Sequence, residues 1–399
     1  MTEREAPPAQ PGAKPGRVPA LVCRQLRLRQ FRNFAELELH FPAAGVAIIG
    51  NNGSGKTNLL ESLYYLEIFR SFRGAPDEQL VRFGAEAFHV RGIFEDTAGD
   101  TFEIAAGYEP RTRAKRVTVN DAVPERLADA VGRVRVVAFA PSDLTLVTGS
   151  PAERRRFLDI VLSVNVPGYL DALQRYRHVL RQRNALLRTQ AEPGLLEAWD
   201  PHFVEAGAQV VHERACWVAQ YAEAFTRRYQ HMGDGASARI EYRPGLRVES
   251  PAQGRAVVES AMRSDMRRLA SRERERGITL TGPHRDDLAL LARSGDAQLD
   301  LREFGSGGQM RTAAIALRMV EAESARAARQ TAPMILLDDV FAELDPGRSR
   351  RVLEMLESED HGQVILTAPK GTDVDSHGPT RSFAALPRWS IRQGRIEDP

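Results

Sequence analysis

Lysine is nearly missing from this chain. Of its 55 basic residues only four are lysines, Lys14, Lys56, Lys115 and Lys370. Cysteine is equally scarce: Cys23 and Cys216 are the two, too few for a disulfide framework and wrongly spaced for a metal-ligand motif. The nine histidines are scattered. No apolar run approaches a membrane span, and the N-terminal stretch holds no continuous apolar signal region. Charge of one sign is lacking too. The net charge is +2, so the whole-molecule field does not demand a polyanion, although local arginine clusters can bind one. The bias of arginine over lysine can follow from genome composition and carries no functional weight. A soluble cytoplasmic protein without a membrane partner is expected. Its 399 residues are enough for a large core and two lobes.

Against that scarcity, the placement of one lysine stands out. In "VAIIGNNGSGKTNLLESLYYL", Val46 to Leu66, an apolar run reads as a short buried strand. Asn58 to Phe69 reads as a helix, with Leu59, Leu60, Leu63, Leu66 and Ile68 on its apolar face. Gly50, Asn51, Asn52, Gly53, Ser54, Gly55, Lys56, Thr57 and Asn58 lie between them and fit G-x-x-x-x-G-K-[ST]. The glycines let backbone N–H groups turn inward around an anion, and the helix adds its positive end. Lys56 is placed to reach β- and γ-phosphates, and the Thr57 hydroxyl to ligate Mg²⁺. A Gly-rich strand–helix turn could match by accident, but the flanking strand and helix favour nucleotide binding.

The rest of the chain falls into regions. The Pro/Gly/Ala-rich residues 1–20 are expected to be a disordered extension. Strand-like runs fill 21–145. Long charged helices are expected over 146–276, where Leu173, Leu180 and Leu187 recur for under three heptads, too briefly for an extended coiled coil. Strands return in 277–399, at "ITLTG", "DLALLA", "PMILLDDV", "GQVILTA" and "RWSIRQGRI". The fold class is therefore α/β: a P-loop head split in sequence by a mainly helical second lobe.

Two more stretches carry chemistry. "PMILLDDVFAELD" is an apolar strand ending in Asp338 and Asp339. Many strands end in Asp at a solvated turn. Beside a phosphate loop, however, one carboxylate can hold Mg²⁺ and its neighbour can orient or deprotonate a water. "FGSGGQMRTAAIALRMVEAE" opens a helix with Ser306, Gly307, Gly308 and Gln309, a second anion cradle. One site rarely needs two cradles, so the second is expected to close on the nucleotide of another copy.

The order P-loop, S-G-G-Q, strand-Asp, E-L-D resembles the head of ABC-type ATPases. Within that class the chain resembles the RecF family of bacterial recombination mediators, part of the SMC-like superfamily. The likeness runs from "LRLRQFRNF" through "FAPSDLTLVTGSPAERRRFLD", "LQRYRHVLRQRNALL", "LTGPHRDDL" and "LLDDVFAELD". It implies a weak, DNA-stimulated ATPase that uses ATP and Mg²⁺ and dimerises on ATP. Such a protein binds single-stranded or gapped duplex DNA and works with other recombination mediators to load recombinase in repair, replication restart and SOS induction. Carried over residue by residue, Gly50 to Asn58 hold the phosphates, Thr57 and Asp338 the metal, and Lys56 and Asp339 are catalytic. Ser306 to Gln309 meet the partner's γ-phosphate, and Asp345 belongs to the dimer interface.

Two departures imply slow turnover. Thr367 of "QVILTAP" stands where ABC transporters place a histidine, and "FAPSDL" replaces a glutamine lid. The main alternative is the nucleotide-binding subunit of an ABC transporter; an SMC-type tether would need far more heptads. DNA-contacting residues are not assigned. Candidate basic groups are "RTRAKR" (Arg111, Arg113, Lys115, Arg116), Arg154 to Arg156, the 175–188 helix and Arg267 to Arg276. In the last group Glu273 and Glu275 can pair with arginines along the helix. His284 and Arg285 are either structural or couple the nucleotide to the lobe.

Overall fold

A computed structural model of the chain describes residues 20–96, 99–233, 235–340, 344–358, 361–371, 383 and 385–397. The expected N-terminal extension, apart from residue 20, and Glu343 of "ELD" lie outside them. Four apolar runs, β3 (Gly45–Ile49), β7 (Val136–Phe139), β11 (Met334–Asp338) and β12 (Val364–Ala368), align in parallel at the centre with the alternating strand β13 (Arg388–Arg392). Antiparallel β14 (Arg395–Glu397) closes one edge, in the order β14-β13-β3-β12-β11-β7. The runs VVAF, MILLD and VILTA are buried at every position, as parallel strands covered on both faces must be.

Register then assembles the site. Asp338 of β11 lies opposite Thr367 of β12, and Thr367 lies opposite Ile48 of β3. β12 thus separates the strand feeding the Gly-rich loop from the strand ending in paired aspartates. All three present their C-terminal ends, where open α/β sheets bind ligands.

A second, antiparallel sheet has the order β2-β1-β4-β5-β6, from β1 (Val22–Phe31), β2 (Phe34–His40), β4 (Phe88–Glu95), β5 (Thr101–Glu109) and β6 (Ala114–Val119). Helix α1 (Lys56–Ile68) packs against strands of both sheets. That explains a departure from the one-faced helix expected there. Glu61, Ser62, Tyr64, Tyr65 and Glu67 are buried along with the leucines, as in any helix enclosed on all sides. The polar members are satisfied or neutralised. Arg32 clasps Glu61 with two bonds of 2.8 and 2.9 Å. Glu67 accepts the Val136 N–H at 3.1 Å, and burial pushes its carboxyl up to about 8.

The helical region comprises α2 (Thr145–Thr148), α3 (Pro151–Asn165), α4 (Tyr169–Arg188), α5 (Pro193–Met232) and α6 (Arg255–Arg276). Then follow α7 (Leu301–Phe304), α8 (Gly307–Arg329) and α9 (Pro346–Ser358). No described helix is long and apolar enough to cross a membrane. A third sheet, β10-β9-β8, uses β8 (Ala238–Arg243), β9 (Asp287–Ser294) and β10 (Ala297–Asp300). β8 was not anticipated among the charged helices. The strand expected at "ITLTG" does not form. Asn184 Oδ1 accepts both the N–H and the hydroxyl of Thr279 at 2.8 Å, and Glu273 accepts the Leu280 N–H at 2.7 Å. Side chains of α4 and α6 take backbone donors that a ladder would use.

The motifs "GSPAERRRFLD" and "LTGPHRDDL" meet around Arg214 of α5. Its buried guanidinium donates to Asp286 (2.6 Å), Asp159 (2.7 Å), the Pro283 carbonyl (2.8 Å) and the Tyr169 oxygen (3.1 Å). Arg154 forks onto Asp287 at 2.7 and 2.9 Å. His284 is sandwiched between the Tyr176 hydroxyl, 2.6 Å from Nδ1, and the Thr279 carbonyl, 3.1 Å from Nε2. Burial lowers its pKa to about 4, so the ring is neutral near pH 7. In this geometry both motifs pin α3, α4 and α5 to the third sheet.

Candidate functional site

The Gly-rich loop between β3 and α1 depends on its glycines for conformation and for room. Gly53 and Gly55 have φ of +79° and +113°, where a side chain would be strained. A Cβ at Gly55 would also lie 2.4 Å from the Asn33 amide nitrogen. Asn33 sits in the turn between β1 and β2. It donates to the Ser54 carbonyl at 3.2 Å and accepts from the Asn58 amide at 2.8 Å, so the first hairpin braces the loop. It was not among the expected site residues; its only signal was the "FRNF" run.

The loop's lining fits phosphate oxygens. Lys56 is buried, and its ammonium donates to the Gly50 carbonyl at 2.7 Å and lies 3.4 Å from the Asn51 carbonyl. The Ser54 hydroxyl is buried without a hydrogen-bond partner. An ammonium, an unpartnered hydroxyl and a helix N-terminus converge there.

The expected metal pair is assembled by register. The Thr57 hydroxyl donates to Asp338 Oδ1 at 2.9 Å. The Thr367 hydroxyl accepts the Asp339 N–H at 3.1 Å and lies 3.0 Å from Asp338 Oδ1 and 3.4 Å from Asp339 Oδ1. It therefore stands between the two carboxylates. Burial pushes Asp338 up to about 6, against the Thr57 hydrogen bond and with help from the neighbouring Asp339 charge. Asp339 leaves the strand with φ of +46°, and its Oδ2 is 3.6 Å from the Lys56 ammonium. Thr57 and Asp338 offer the hard oxygen donors that suit Mg²⁺.

Opposite in character is the S-G-G-Q turn. Ser306 and Gln309 form a reciprocal cap at the start of α8: the Ser306 N–H donates to Gln309 Oε1 at 2.8 Å, and the Gln309 N–H to Ser306 Oγ at 3.3 Å. Ser306 and Gly307 are exposed. A Cβ at Gly308 would meet the Arg348 guanidinium at 2.3 Å. Arg348 in turn lies 3.4 Å from Asp345, which caps α9 by accepting the Arg348 N–H at 3.0 Å. That hydrogen bond holds the Asp345 carboxyl below its ordinary value. The S-G-G-Q turn and Asp345 therefore share one surface.

The stretch replacing a glutamine lid is tied to that same helix. Asp143 of "FAPSDL" accepts from the buried Arg318 of α8 at 2.7 Å, and Arg318 also donates to Glu321 at 2.7 Å.

Several candidate DNA-contacting groups are engaged within the chain; Arg154 is buried, whereas Arg156 stays exposed. Arg154 is engaged by Asp287, Arg155 donates to the Asp286 carbonyl at 2.6 Å, and Arg156 to the Ser71 carbonyl at 3.3 Å. Lys115 binds the Phe69 carbonyl at 2.6 Å and Asp77 at 2.7 Å. Glu273 does not pair along its own helix; it is buried and accepts from Arg183 of α4 at 2.8 Å. Arg111, Arg113 and Arg116 stay exposed, as do Arg175, Arg181 and Arg188 of α4 and Arg267, Arg272, Arg274 and Arg276 of α6.

Comparison with known proteins places this geometry. The family model "RecF/RecN/SMC N terminal domain" matches residues 22–377. "DNA replication and repair protein RecF" of Moorella thermoacetica is 36% identical over 384 residues, covering 95% of this chain and 97% of that protein. The protein of the same name from Salinibacter ruber is 36% identical over 358 residues, covering 88% and 85%. Among solved structures, "the recombination mediator protein RecF-ATP in RecFOR pathway" is similar at a TM-score of 0.84 and 26% identity, over 95% of this chain and 97% of that one. The Smc head domain from Pyrococcus furiosus, at 16% identity and a TM-score of 0.53 over 94% and 95%, shares the fold.

Proposed function

Because the chain belongs to the RecF/RecN/SMC N-terminal-domain family, and within it to the RecF proteins, we propose that it is an ATP-dependent DNA-binding recombination mediator. On this reading it acts in the cytoplasm as an ATP-closed homodimer at gapped or junction DNA and promotes recombinase loading together with other mediator proteins. The observation carrying the proposal is the pairing of one complete phosphate site with a second, exposed cradle at Ser306. No observation favours a transporter subunit.

Within a subunit, the loop from Gly50 to Asn58 holds the phosphates and Lys56 reaches the terminal ones. Thr57 and Asp338 hold Mg²⁺, which when bound offsets phosphate charge. Asp339 orients or deprotonates the attacking water. It is a shorter acid than the usual glutamate, and Thr367 rather than a histidine positions it, so hydrolysis is slow and serves as a timer. If so, Asp339→Asn retains Mg-ATP binding, turns over slower by about a hundredfold or more, the scale of a lost general base, and prolongs the ATP-bound dimer. Turnover at the parental rate would assign the water to another group.

The proposal as a whole is tested by sizing the protein with ATP or ADP, with and without gapped DNA, across a salt series. Dimer formation and DNA binding should both require ATP. Arginine–phosphate contacts release counterions, so affinity should drop by about a thousandfold or more between roughly 50 and 200 mM salt if six or more phosphates are engaged. A flat salt response, or full-strength binding without nucleotide, contradicts the reading.

A further inference from the structure

Glycine is disfavoured inside a helix, yet α8 begins with two, Gly307 and Gly308, and neither has the positive φ that would demand one. At Gly308 the reason is room. A Cβ there would lie 2.3 Å from Nη1, 3.2 Å from Cζ and 3.5 Å from Nη2 of Arg348, so the whole guanidinium rests against the glycine. Arg348 comes from the first turn of α9. Its charge is poorly placed for stability. Helix N-termini are electropositive and disfavour cations, and this guanidinium stands at the N-termini of both α8 and α9. Little within the chain offsets it. Its Nε is buried without a hydrogen-bond partner. Among the described residues its one ion-pair neighbour is Asp345, 3.4 Å away and exposed. Arg311 also comes near the turn, 3.9 Å from a Cβ at Gly307, but it shares a crevice with Asp339 of its own chain.

Two helix N-termini and a half-compensated guanidinium on one surface suit an anion, and the planar fork of arginine matches phosphate oxygens. The S-G-G-Q turn has no charge of its own: Ser306 and Gln309 are neutral and cap each other. We propose that Arg348 is a catalytic residue in trans, donating to the γ-phosphate of the nucleotide held by the partner subunit. The inference rests on the ATP-closed dimer proposed above and adds to it the charge that acts across the seam. In hydrolysis the water oxygen bonds to the γ-phosphorus as the bond to the bridging β-oxygen breaks. The electron pair of that bond stays on ADP, and the water's proton passes to Asp339. The charge spread over the γ-oxygens then meets N–H donors already fixed in place. Asp345 holds the guanidinium at the seam beforehand, and Gly308 lets it lie flat against the turn.

Arg348→Ala and Arg348→Gln, the second keeping the stem's packing, test this by single-turnover hydrolysis of radiolabelled ATP. Each should bind Mg-ATP and dimerise as the parent does. Each should hydrolyse ATP slower by about a hundredfold or more, the scale of one lost transition-state donor. Thermal unfolding checks the fold. Mixing then tests the trans claim. In an equimolar mixture of Arg348→Gln and Asp339→Asn about half the dimers are mixed. Each mixed dimer has one site where Asp339 and the opposite Arg348 are both intact, so about a quarter of parental turnover should return. Neither variant alone should approach that level. No recovery in the mixture assigns Arg348 to its own subunit's site and overturns the proposal. Parental turnover in both Arg348 variants overturns it too. So does loss of ATP-driven dimerisation, which makes Arg348 a scaffold of the seam. If the parent itself does not dimerise with ATP, the dimer reading falls and the proposal with it, an outcome distinct from the others because it needs no variant.

Discussion

Lys56→Ala should bind ATP roughly a hundredfold more weakly than the parent, the equivalent of about 3 kcal/mol for losing a charge-assisted phosphate contact. The size follows from where Lys56 sits. Its ammonium is buried at the head of α1, tied to the lip of the loop through the Gly50 carbonyl and 3.6 Å from Asp339. Within the loop it is the one side chain of positive charge. Removing it leaves the backbone cradle and the helix N-terminus, which still favour an anion but with partial charges only. The fold should survive, since α1 is held by Leu59, Leu60, Leu63 and Leu66 between two sheets. Titration calorimetry gives the affinity, and thermal unfolding without nucleotide checks the fold. Equal ATP affinity for variant and parent would remove the basis for calling Gly50 to Asn58 a phosphate loop.

The contrast between legible and illegible parts of this protein is one of sequence distance. The Gly-rich loop between strand and helix was readable because nine consecutive residues, Gly50 to Asn58, carry its conformation and its candidate phosphate-binding groups together. The parallel core was readable because runs such as MILLD and VILTA have no polar alternation. By contrast, Thr367 reaches Asp338 and Asp339 only through the register of β12 on β11. In sequence it could be suspected from a family resemblance alone. The charged helices misled for the same reason. Arg154 finds Asp287 and Arg183 finds Glu273 across separations of 133 and 90 residues. A run of arginines on paper does not reveal which members point inward. "ITLTG" failed as a strand because Asn184 and Glu273, from two different helices, occupy its backbone donors. β-propensity is a weak guide wherever tertiary partners compete for the backbone.

Ser306→Arg should abolish ATP-induced dimerisation and hydrolysis together while leaving ATP binding to the single subunit intact. The S-G-G-Q turn is exposed at the start of α8 and shares its surface with Asp345 and Arg348. Its helix N-terminus is an anion site separate from the loop that contains Lys56. If each subunit's turn closes on the other's γ-phosphate, the nucleotide joins two symmetric sites in an isologous two-fold dimer. ATP then favours the dimer because both subunits contact it there, whereas ADP lacks the bridging group. Linkage demands that difference: a ligand bound equally tightly by monomer and dimer shifts nothing. Arginine at this position puts bulk and a like charge beside Arg348 at the seam, and it removes the hydroxyl that caps Gln309. Loss of that cap costs about 1 kcal/mol at an exposed helix end, too little to unfold a domain of this size. Light scattering and nucleotide titration on one sample separate the two effects. A monomer that binds ATP like the parent but no longer dimerises is the expected result. A Ser306→Arg sample that still dimerises with ATP would make the Ser-Gly-Gly-Gln turn a capped loop and leave the dimer's second phosphate contact to another surface.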